Sequence, residues 1–407
     1  MACFRTPMAF LVAMAVLGLS LSGAGALAAE DDALMETVIK GLEDRDKALS
    51  EFHLSVFCRS WMSDTQIEAD THLFREMLKA EAPPEFQNRG LSVSDLYYHG
   101  PQWCLDSALL VSDGRNVPPG FIARVDAGAK SLDPDMPGWG APAGRMCCDG
   151  ESIRRWQVDT RDGEVRKIKR PKGSRRMIDH LMNETLVWIL GGPPGEFFRE
   201  NRPYAIEGPV QADGHECYRV SYARNRPRGV GPYRLEAWVA PGLGYSVVRT
   251  SYLSIDEADN QSGSRREKYA TGFRQVSPGV WFPSEVVSHD YGYYKASDEP
   301  WRETRVYTVR EVAVGPGTAP GDGPFELRFP IGVRYTAWDE TGKPVDRETE
   351  RAEFDTREEW TLVHTFQEWK PPPVDENLNR PLQQADVDAL MADVARAEAA
   401  RAGKEVD

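Results

Sequence analysis

The stretch YRLEAWVAPGLGYSVVRTSYLSI, residues 233–255, decides the fold because it encodes two strands and the turn between them. In its first half, apolar and polar side chains alternate with the period of two that is typical of a strand. One face carries Tyr233, Leu235, Ala237 and Val239, and the other carries Arg234, Glu236 and Trp238. Pro241-Gly242-Leu243-Gly244 predicts a turn, and a second strand follows from Tyr245 to Ile255. One face is apolar, as expected for a sheet wrapped around a core or a cavity.

Strands of the same kind surround this hairpin. They are predicted at Phe52 to Cys58, Arg145 to Cys148, Ser152 to Val158, Glu164 to Lys169, Glu216 to Ala223, Arg265 to Val276, Val280 to Tyr294, Arg302 to Val314 and Phe325 to Arg334. Consecutive strands joined by short turns are typical of an antiparallel meander, and strands do not alternate with helices as in a doubly wound fold. The predicted fold class is therefore mainly β (α+β).

Several helices are predicted beside these strands, at residues 33–49, 65–80 and 384–401. The last of them is Ala-rich and charged, so we expect it to be exposed or only lightly docked. Another predicted helix, Met177 to Leu190, ends in the run Leu186-Val187-Trp188-Ile189-Leu190, which must be buried on more than one side. Two interpretations of this run stay open. It is either plain core or a lid across the open side of the sheet, with Gly191 to Gly195 as its hinge.

The N-terminus predicts export. An apolar stretch runs from about Met8 to Leu21, and Ala26-Leu27-Ala28 is the small-x-small pattern that signal peptidase accepts. We therefore expect residues 1–28 to be a signal peptide and the mature chain to reside in the periplasm or cell envelope. No later apolar stretch is long enough to cross a bilayer, so an integral membrane protein is not expected. The formal charge of −14 disfavours nucleic-acid binding, because phosphate repels an acidic chain.

Catalytic and metal-binding motifs are absent from the sequence. It contains no GxSxG, HExxH or GxxxxGK[ST] motif, and no GxGxxG between a strand and a helix. We therefore expect no enzymatic activity, no catalytic residue and no cofactor. The cysteines after the signal peptide are Cys58, Cys104, Cys147, Cys148 and Cys217. Five cysteines allow up to two disulfides, and without CxxC or clustered histidines no metal site is predicted.

Four short segments carry a resemblance to a known family. They are Cys148 to Trp156, Ala237 to Tyr245, Pro278 to Pro283 and Phe325 to Val333. With the order of N-terminal helix, strand, apolar helix and meander, they resemble the lipoprotein-localisation-factor (LolA-like) superfamily, of the outer-membrane lipoprotein-sorting type. The resemblance implies that the antiparallel meander forms an incomplete, curved β-barrel covered by helices, with a hydrophobic cavity for lipid or lipoprotein acyl chains. It implies a half-barrel domain at 29–340 with an insertion around 60–145. An acidic extension with a final strand (341–369) and a Pro-rich spacer with a helix (370–407) follow.

The residues expected to line the cavity are Leu186, Trp188, Ile189, Trp238, Tyr245, Val247 and Trp281. They support the hypothesis of an exported carrier or sensor of a lipophilic ligand, with envelope membrane proteins as partners. The alternative is a non-catalytic structural or interaction protein of the envelope whose core is filled. An apolar cavity inside the sheet would favour the first hypothesis, and its absence would favour the second.

Overall fold

Seventeen strands and four helices make up the described part of the chain. The computed structural model describes residues 31–63, 89–111, 122–125, 143–157, 162–167, 178–226, 231–256, 263–293, 301–318, 325, 334–338, 344–345, 360–363, 372–375 and 377–402. Strands β1 to β17 are Glu51–Met62, Arg89–His99, Gln102–Val111, Ile122–Val125, Ala143–Cys148, Ser152–Gln157, Asp162–Lys167, Ala205–Ala212, His215–Arg226, Gly231–Ala240, Ser246–Ile255, Gly263–Ser277, Val280–Tyr293, Trp301–Val314, Arg334–Trp338, Pro344–Val345 and Trp360–Val363. Helices α1 to α4 are residues 31–48, Asp179–Glu184, Pro194–Glu200 and Gln384–Ala402.

One sheet holds fifteen of these strands, and β1 joins its two halves. β1 pairs antiparallel with β14 on one side and with β2 on the other. Beyond β14, the strands β13 to β8 follow in reverse chain order, which is the predicted meander; beyond β2 come β3, β5, β6, β7, β15 and β16. Among the described residues, the edge strands β8 and β16 do not pair with each other, so the sheet stays open. This open, curved sheet with helices on it, antiparallel except where β15 pairs in parallel with β7, confirms the predicted fold class.

The predicted insertion around 60–145 contributes strands to the N-terminal half of the sheet. The described parts of residues 60–145 supply β2, β3 and the first half of β5 to the main sheet, so they extend the sheet beside β1. The predicted helix at 65–80 and most of the predicted strand at 325–334 lie outside the described residues. The acidic extension does contain a strand, β17, but it pairs with β4 in a separate two-stranded sheet. The domain boundaries themselves remain predictions.

Helix α1 covers one face of the sheet, called the inner face here. Its apolar residues Val38 and Leu42, and Leu49 directly after it, are buried in the main apolar core, together with Leu235 and Val239 of β10. This confirms both the helical spacing and the apolar face that the sequence predicts. α1 approaches the sheet closely because it carries glycine at Gly41. A Cβ at this position would lie 2.4 Å from the ring of Tyr245.

The prediction of one continuous helix from Met177 to Leu190 is wrong. α2 ends at Glu184, and the chain then turns, with φ of 56° at Leu186 and 45° at Leu190. The Thr185 hydroxyl donates to the carbonyl of Leu181 at 2.9 Å, and the amides of Val187 and Trp188 both donate to the Met182 carbonyl at 3.1 and 3.0 Å. Burial explains the difference. An apolar run must be covered on several sides, and a turn achieves this as well as a helix does.

Helix α4 packs on the opposite, outer face of the sheet. Its residues Val387, Leu390, Val394 and Ala397 are buried against Ala223, Leu253 and Ile255 of β9 and β11. The outward-pointing Arg234 of β10 donates to the Asp393 carboxylate at 2.7 Å. α4 is therefore firmly docked, whereas its few large apolar residues predicted an exposed or lightly docked helix. These four apolar side chains lie on one face of α4 and are enough to dock it, because the sheet residues beneath them are apolar as well.

We predict that Gly41→Ala destabilises the protein through the ring of Tyr245. Overpacking of this kind costs about 1–3 kcal/mol, which exceeds the roughly 1 kcal/mol of helix propensity that alanine gains over glycine. In a Tyr245→Ala background the ring is gone, so the same substitution should be neutral or stabilising. Urea unfolding of the four variants of this cycle measures the coupling. Gly242→Ala is the matched control, because a Cβ there meets no atom within 4 Å. Equal destabilisation by Gly41→Ala in both backgrounds would contradict the contact.

Candidate functional site

The segment that covers the centre of the inner face is residues 185–193, called the plug here. Leu186, Val187, Trp188 and Ile189 are all buried in the main core, with exposed fractions of 0 to 3%. Leu186 and Leu190 adopt positive φ, a conformation that costs a non-glycine residue of order 1–3 kcal/mol and that concentrates at functional sites. The plug is thus a strained, buried turn that its surroundings hold in place.

Two cavities flank the plug, and Trp188 lines both. The first, of about 260 Å³, lies between the plug and strands β10 to β13, and its apolar wall includes Leu235 and Tyr252. The second, of about 470 Å³, lies between the plug, α1 and α3, and its wall includes Leu49 and Tyr98. The Trp188 ring stands edge-on to the ring of Tyr98, with centroids 5.7 Å apart. Ligand pockets span roughly 300–1,000 Å³, so the second cavity already has a typical size, whereas the first reaches it only if movement of the plug joins the two.

A buried ion cluster borders the first cavity at its polar end. Lys268 Nζ donates to Glu184 Oε1 at 2.8 Å and to the Asn183 carbonyl at 3.1 Å. Burial raises the pKa of Glu184, but the neighbouring charges of Lys268 and Arg266 outweigh burial and hold the pKa at about 2. Burial lowers the pKa of Lys268. Because Glu184 is the last residue of α2, this ion pair fastens the start of the plug to β12.

The cluster extends from β12 to its neighbours β13 and β14. Arg266 donates to Asp290, and Arg305 Nη1 lies 3.5 Å from the other Asp290 oxygen. Arg305 also donates to Glu303 at 2.7 Å. The cluster thus alternates cations and carboxylates across three adjacent strands. Each charge in the cluster therefore has an opposite charge within 4 Å.

The second cavity contains a carboxylate with an unusual pKa, Asp46 of α1. Burial raises its pKa to about 6, although the nearby Arg45 guanidinium and the amides of Gly195 and Glu196 lower it. Gly195 N donates to Asp46 Oδ2 at 2.6 Å, and a Cβ on Gly195 would lie 2.5 Å from the Glu43 amide nitrogen. Asp46 therefore fastens the N-terminus of α3 to α1, at the wall of the cavity.

The structure brings five of the seven predicted cavity residues to the main core and places two elsewhere. Leu186, Trp188 and Ile189 belong to the plug, and Val247 is buried in the same main core. Tyr245 is partly buried and packs on α1, not in either cavity. Trp238 and Trp281 lie in a separate outer cluster with Val248 and Cys217, and the Arg249 guanidinium sits 5.5 Å from the Trp238 ring centroid. Whether any of the seven contacts a ligand remains a prediction.

The sequence pattern does not predict the charged residues of the site. Residues 265–268 read Arg-Arg-Glu-Lys, and four successive charges are typical of a solvated segment. In the structure their side chains alternate: Arg265 lies 3.3 Å from Asp386 near α4, whereas Arg266 and Lys268 point to the inner ion cluster. The signal that could have revealed them is the position of four charges inside a long strand whose neighbours are apolar.

The described residues also show how cysteines pair and whether metal-binding groups or membrane-spanning helices occur among them. Cys104 of β3 and Cys147 of β5 form a disulfide. Cys148 packs into the main core, as expected when successive strand residues point to opposite faces. Within the described residues, no group of three or more His, Cys, Asp or Glu side chains is arranged to hold a metal ion. No helix in the same part of the chain is long and apolar enough to cross a membrane.

Comparisons with known proteins give only distant likenesses. No family model and no curated protein matches the chain. A DUF1329 family protein from Desulfovibrio piger is 9% identical, with a TM-score of 0.35, over 72% of this chain and 97% of that one. A LolA superfamily protein from Nitrosomonas europaea is 10% identical, with a TM-score of 0.32, over 71% and 96%. At these values the fold class rests on the strand order and the covering helices described above.

We predict that Asp46 makes folding stability fall as the pH rises from about 4 to above 6. Its folded pKa of about 6 lies above the ordinary 3.8, so its contribution is full below pH 4 and is lost as the pH rises through 6. Asp46→Asn does not titrate. The free energy of unfolding of the wild type minus that of Asp46→Asn should therefore decrease across this window, measured by urea unfolding between pH 4 and 8. A difference that is flat, or that increases with pH, would contradict the raised pKa.

Proposed function

We propose that the chain is an exported, non-enzymatic carrier or sensor that holds a lipophilic ligand, such as a lipid or lipoprotein acyl chain, between the inner face of the sheet and the plug. The observation that carries this proposal is the position of Trp188, a buried side chain that separates two cavities and belongs to a strained turn. A ligand that displaces the plug would join the cavities. Burial of its chain would contribute roughly 0.8 kcal/mol per CH₂ group.

The strain in the plug supports its role as the displaceable element. The positive φ values of Leu186 and Leu190 are relieved when the plug leaves the sheet, which lowers the free energy that the ligand must supply. The glycines at 191 and 192 and Pro193 follow directly and form the hinge. Release of the ligand then requires the plug to return, or an envelope membrane protein to offer a better site.

A structural or interaction protein of the envelope is the second candidate function. The observation that favours it is the burial of the plug, because Leu186, Val187 and Ile189 already fill the centre of the inner face. In this case the outer surfaces rather than the interior would carry the function, and lipids would not bind.

We predict that Trp188→Ala tightens the binding of an acyl probe. A buried Trp→Ala change removes roughly 3–5 kcal/mol of packing from the docked plug, so less free energy is needed to open it and the apparent Kd should fall at least about tenfold. Hexadecanol titration followed by native mass spectrometry, on protein purified from its exported fraction without detergent, measures both occupancy and affinity. Trp238→Ala is the matched control on the outer face and should leave the affinity unchanged.

Three outcomes separate the candidate functions. Lipid that co-purifies with the wild type at near one-to-one stoichiometry supports a carrier and identifies its cargo. An apo mass that stays unchanged after incubation with lipids, for the wild type and Trp188→Ala alike, supports the interaction protein. Equal effects of Trp188→Ala and Trp238→Ala would show that the plug is not the element that the ligand displaces.

A further inference from the structure

The first cavity has a donor-rich wall and an apolar wall. Lys268 and Arg266 line its polar end, where an ammonium with three N–H groups and a guanidinium with five meet. Trp188, Leu235 and Tyr252 line the remaining surface. A site with these two walls fits an amphiphile whose head accepts hydrogen bonds and whose body is apolar.

The carboxylates near this wall are engaged with cations. Arg266 binds one oxygen of Asp290, and Arg305 lies 3.5 Å from the other. Glu184 is fully buried, and its Oε1 accepts from Lys268 and lies 3.8 Å from an Arg266 nitrogen. Glu184 thus provides the carboxylate that pairs with Lys268 in the plugged state and adds a second, more distant anion beside Arg266. Its other oxygen, Oε2, has no hydrogen-bond partner among the described residues.

Movement of the plug would carry this anion away. Glu184 directly precedes the plug, whereas Lys268 and Arg266 belong to β12 and stay with the sheet. Lys268 is buried and would lose its carboxylate, which is costly because an unpaired charge in a protein interior is strongly destabilising. Arg266 is 44% exposed and keeps its pairing with Asp290. The open state therefore needs a replacement anion at the position of the Glu184 carboxylate.

The second cavity disfavours the same head group. Glu43, Asp46, Glu196 and Glu200 line it, with Arg199 as the cation beside them. Arg199 already pairs with Glu43 at 2.8 Å and with Glu36 at 2.7 Å. An anion would be repelled there, which orients the ligand with its head at β12 and its chain toward the space that Trp188 fills in the plugged state.

We propose that the ligand carries a carboxylate or phosphate head, which takes the place of the Glu184 carboxylate at Lys268 and Arg266 when the plug is displaced. This inference rests on the proposed function, because it names the ligand class for the same site. When the plug opens, the Glu184 carboxylate leaves the cations and the ligand head binds in its place, so binding and opening occur together. A neutral amphiphile of equal length cannot make this exchange.

The test compares probes that share a sixteen-carbon chain and differ in the head: hexadecanoate, hexadecyl phosphate, hexadecanol and hexadecyltrimethylammonium, with inorganic phosphate as the head alone. We expect the anionic probes to bind at least about tenfold more tightly than hexadecanol, as charge-assisted hydrogen bonds imply. Arg266→Gln should reduce this anionic preference roughly tenfold, and Glu184→Gln should increase it. Arg249→Gln, on the outer face beside Trp238, is the matched control and should keep the wild-type preference.

A double variant tests the anion site without leaving a buried charge unpaired, which could unfold the protein. Lys268→Met alone leaves Glu184 buried without its partner, so Lys268→Met with Glu184→Gln removes both charges together. This variant should bind hexadecanol and lose the preference for anions. Equal affinities of wild-type protein for hexadecanol and hexadecanoate would overturn the anion exchange and leave the carrier function intact. If no sixteen-carbon probe binds, the carrier function fails. Binding of inorganic phosphate that depends on Arg266 would then still support the anion site, and its absence would overturn that site too.

Discussion

The apolar inner face of the open sheet cannot remain in water, and the way it is covered determines the rest of the structure. A closed barrel would bury this face by itself, but the edges β8 and β16 do not meet within the described part of the chain. α1 and the plug cover the face instead, and each needs a special backbone. α1 requires Gly41 under the ring of Tyr245, and the plug requires positive φ at Leu186 and Leu190. Both features follow from the need to bring chain close to a curved surface.

The ion pair between Glu184 and Lys268 is not explained by stability alone. A buried ion pair often contributes no more stability than a pair of well-packed apolar residues, because desolvation offsets the attraction. Here the pair lies at the joint between α2 and the plug, and Lys268 also binds the Asn183 carbonyl. Charge at this joint fixes where the plug starts on the sheet. It also makes the docked position sensitive to other anions, which an apolar contact would not.

The sequence predicts features that depend on local periodicity and fails where tertiary burial decides. Alternation in β10 identified the apolar face correctly, because a strand leaves only two directions for a side chain. The run from Leu186 to Leu190 carried no such information, since an apolar segment buried on all sides has no preferred face and can be helix or turn. The same limit applies to Trp238. Its alternation placed it on the outer face, yet its aromatic character suggested the cavity. The alternation was the better guide, because the outer cluster that holds Trp238 needs an aromatic side chain too.

Strand β12 shows why the charged part of the site stayed hidden in the sequence. Its four successive charges divide between two faces, each of which is covered by another part of the chain. Arg265 lies beside Asp386 just inside α4, and Arg266 and Lys268 reach the inner cluster. A strand that is held by ion pairs on both faces is a rigid support, because the side chains on either face cannot move without breaking an ion pair. Within the proposed function, this leaves the plug, rather than the sheet, as the element that a ligand has to displace.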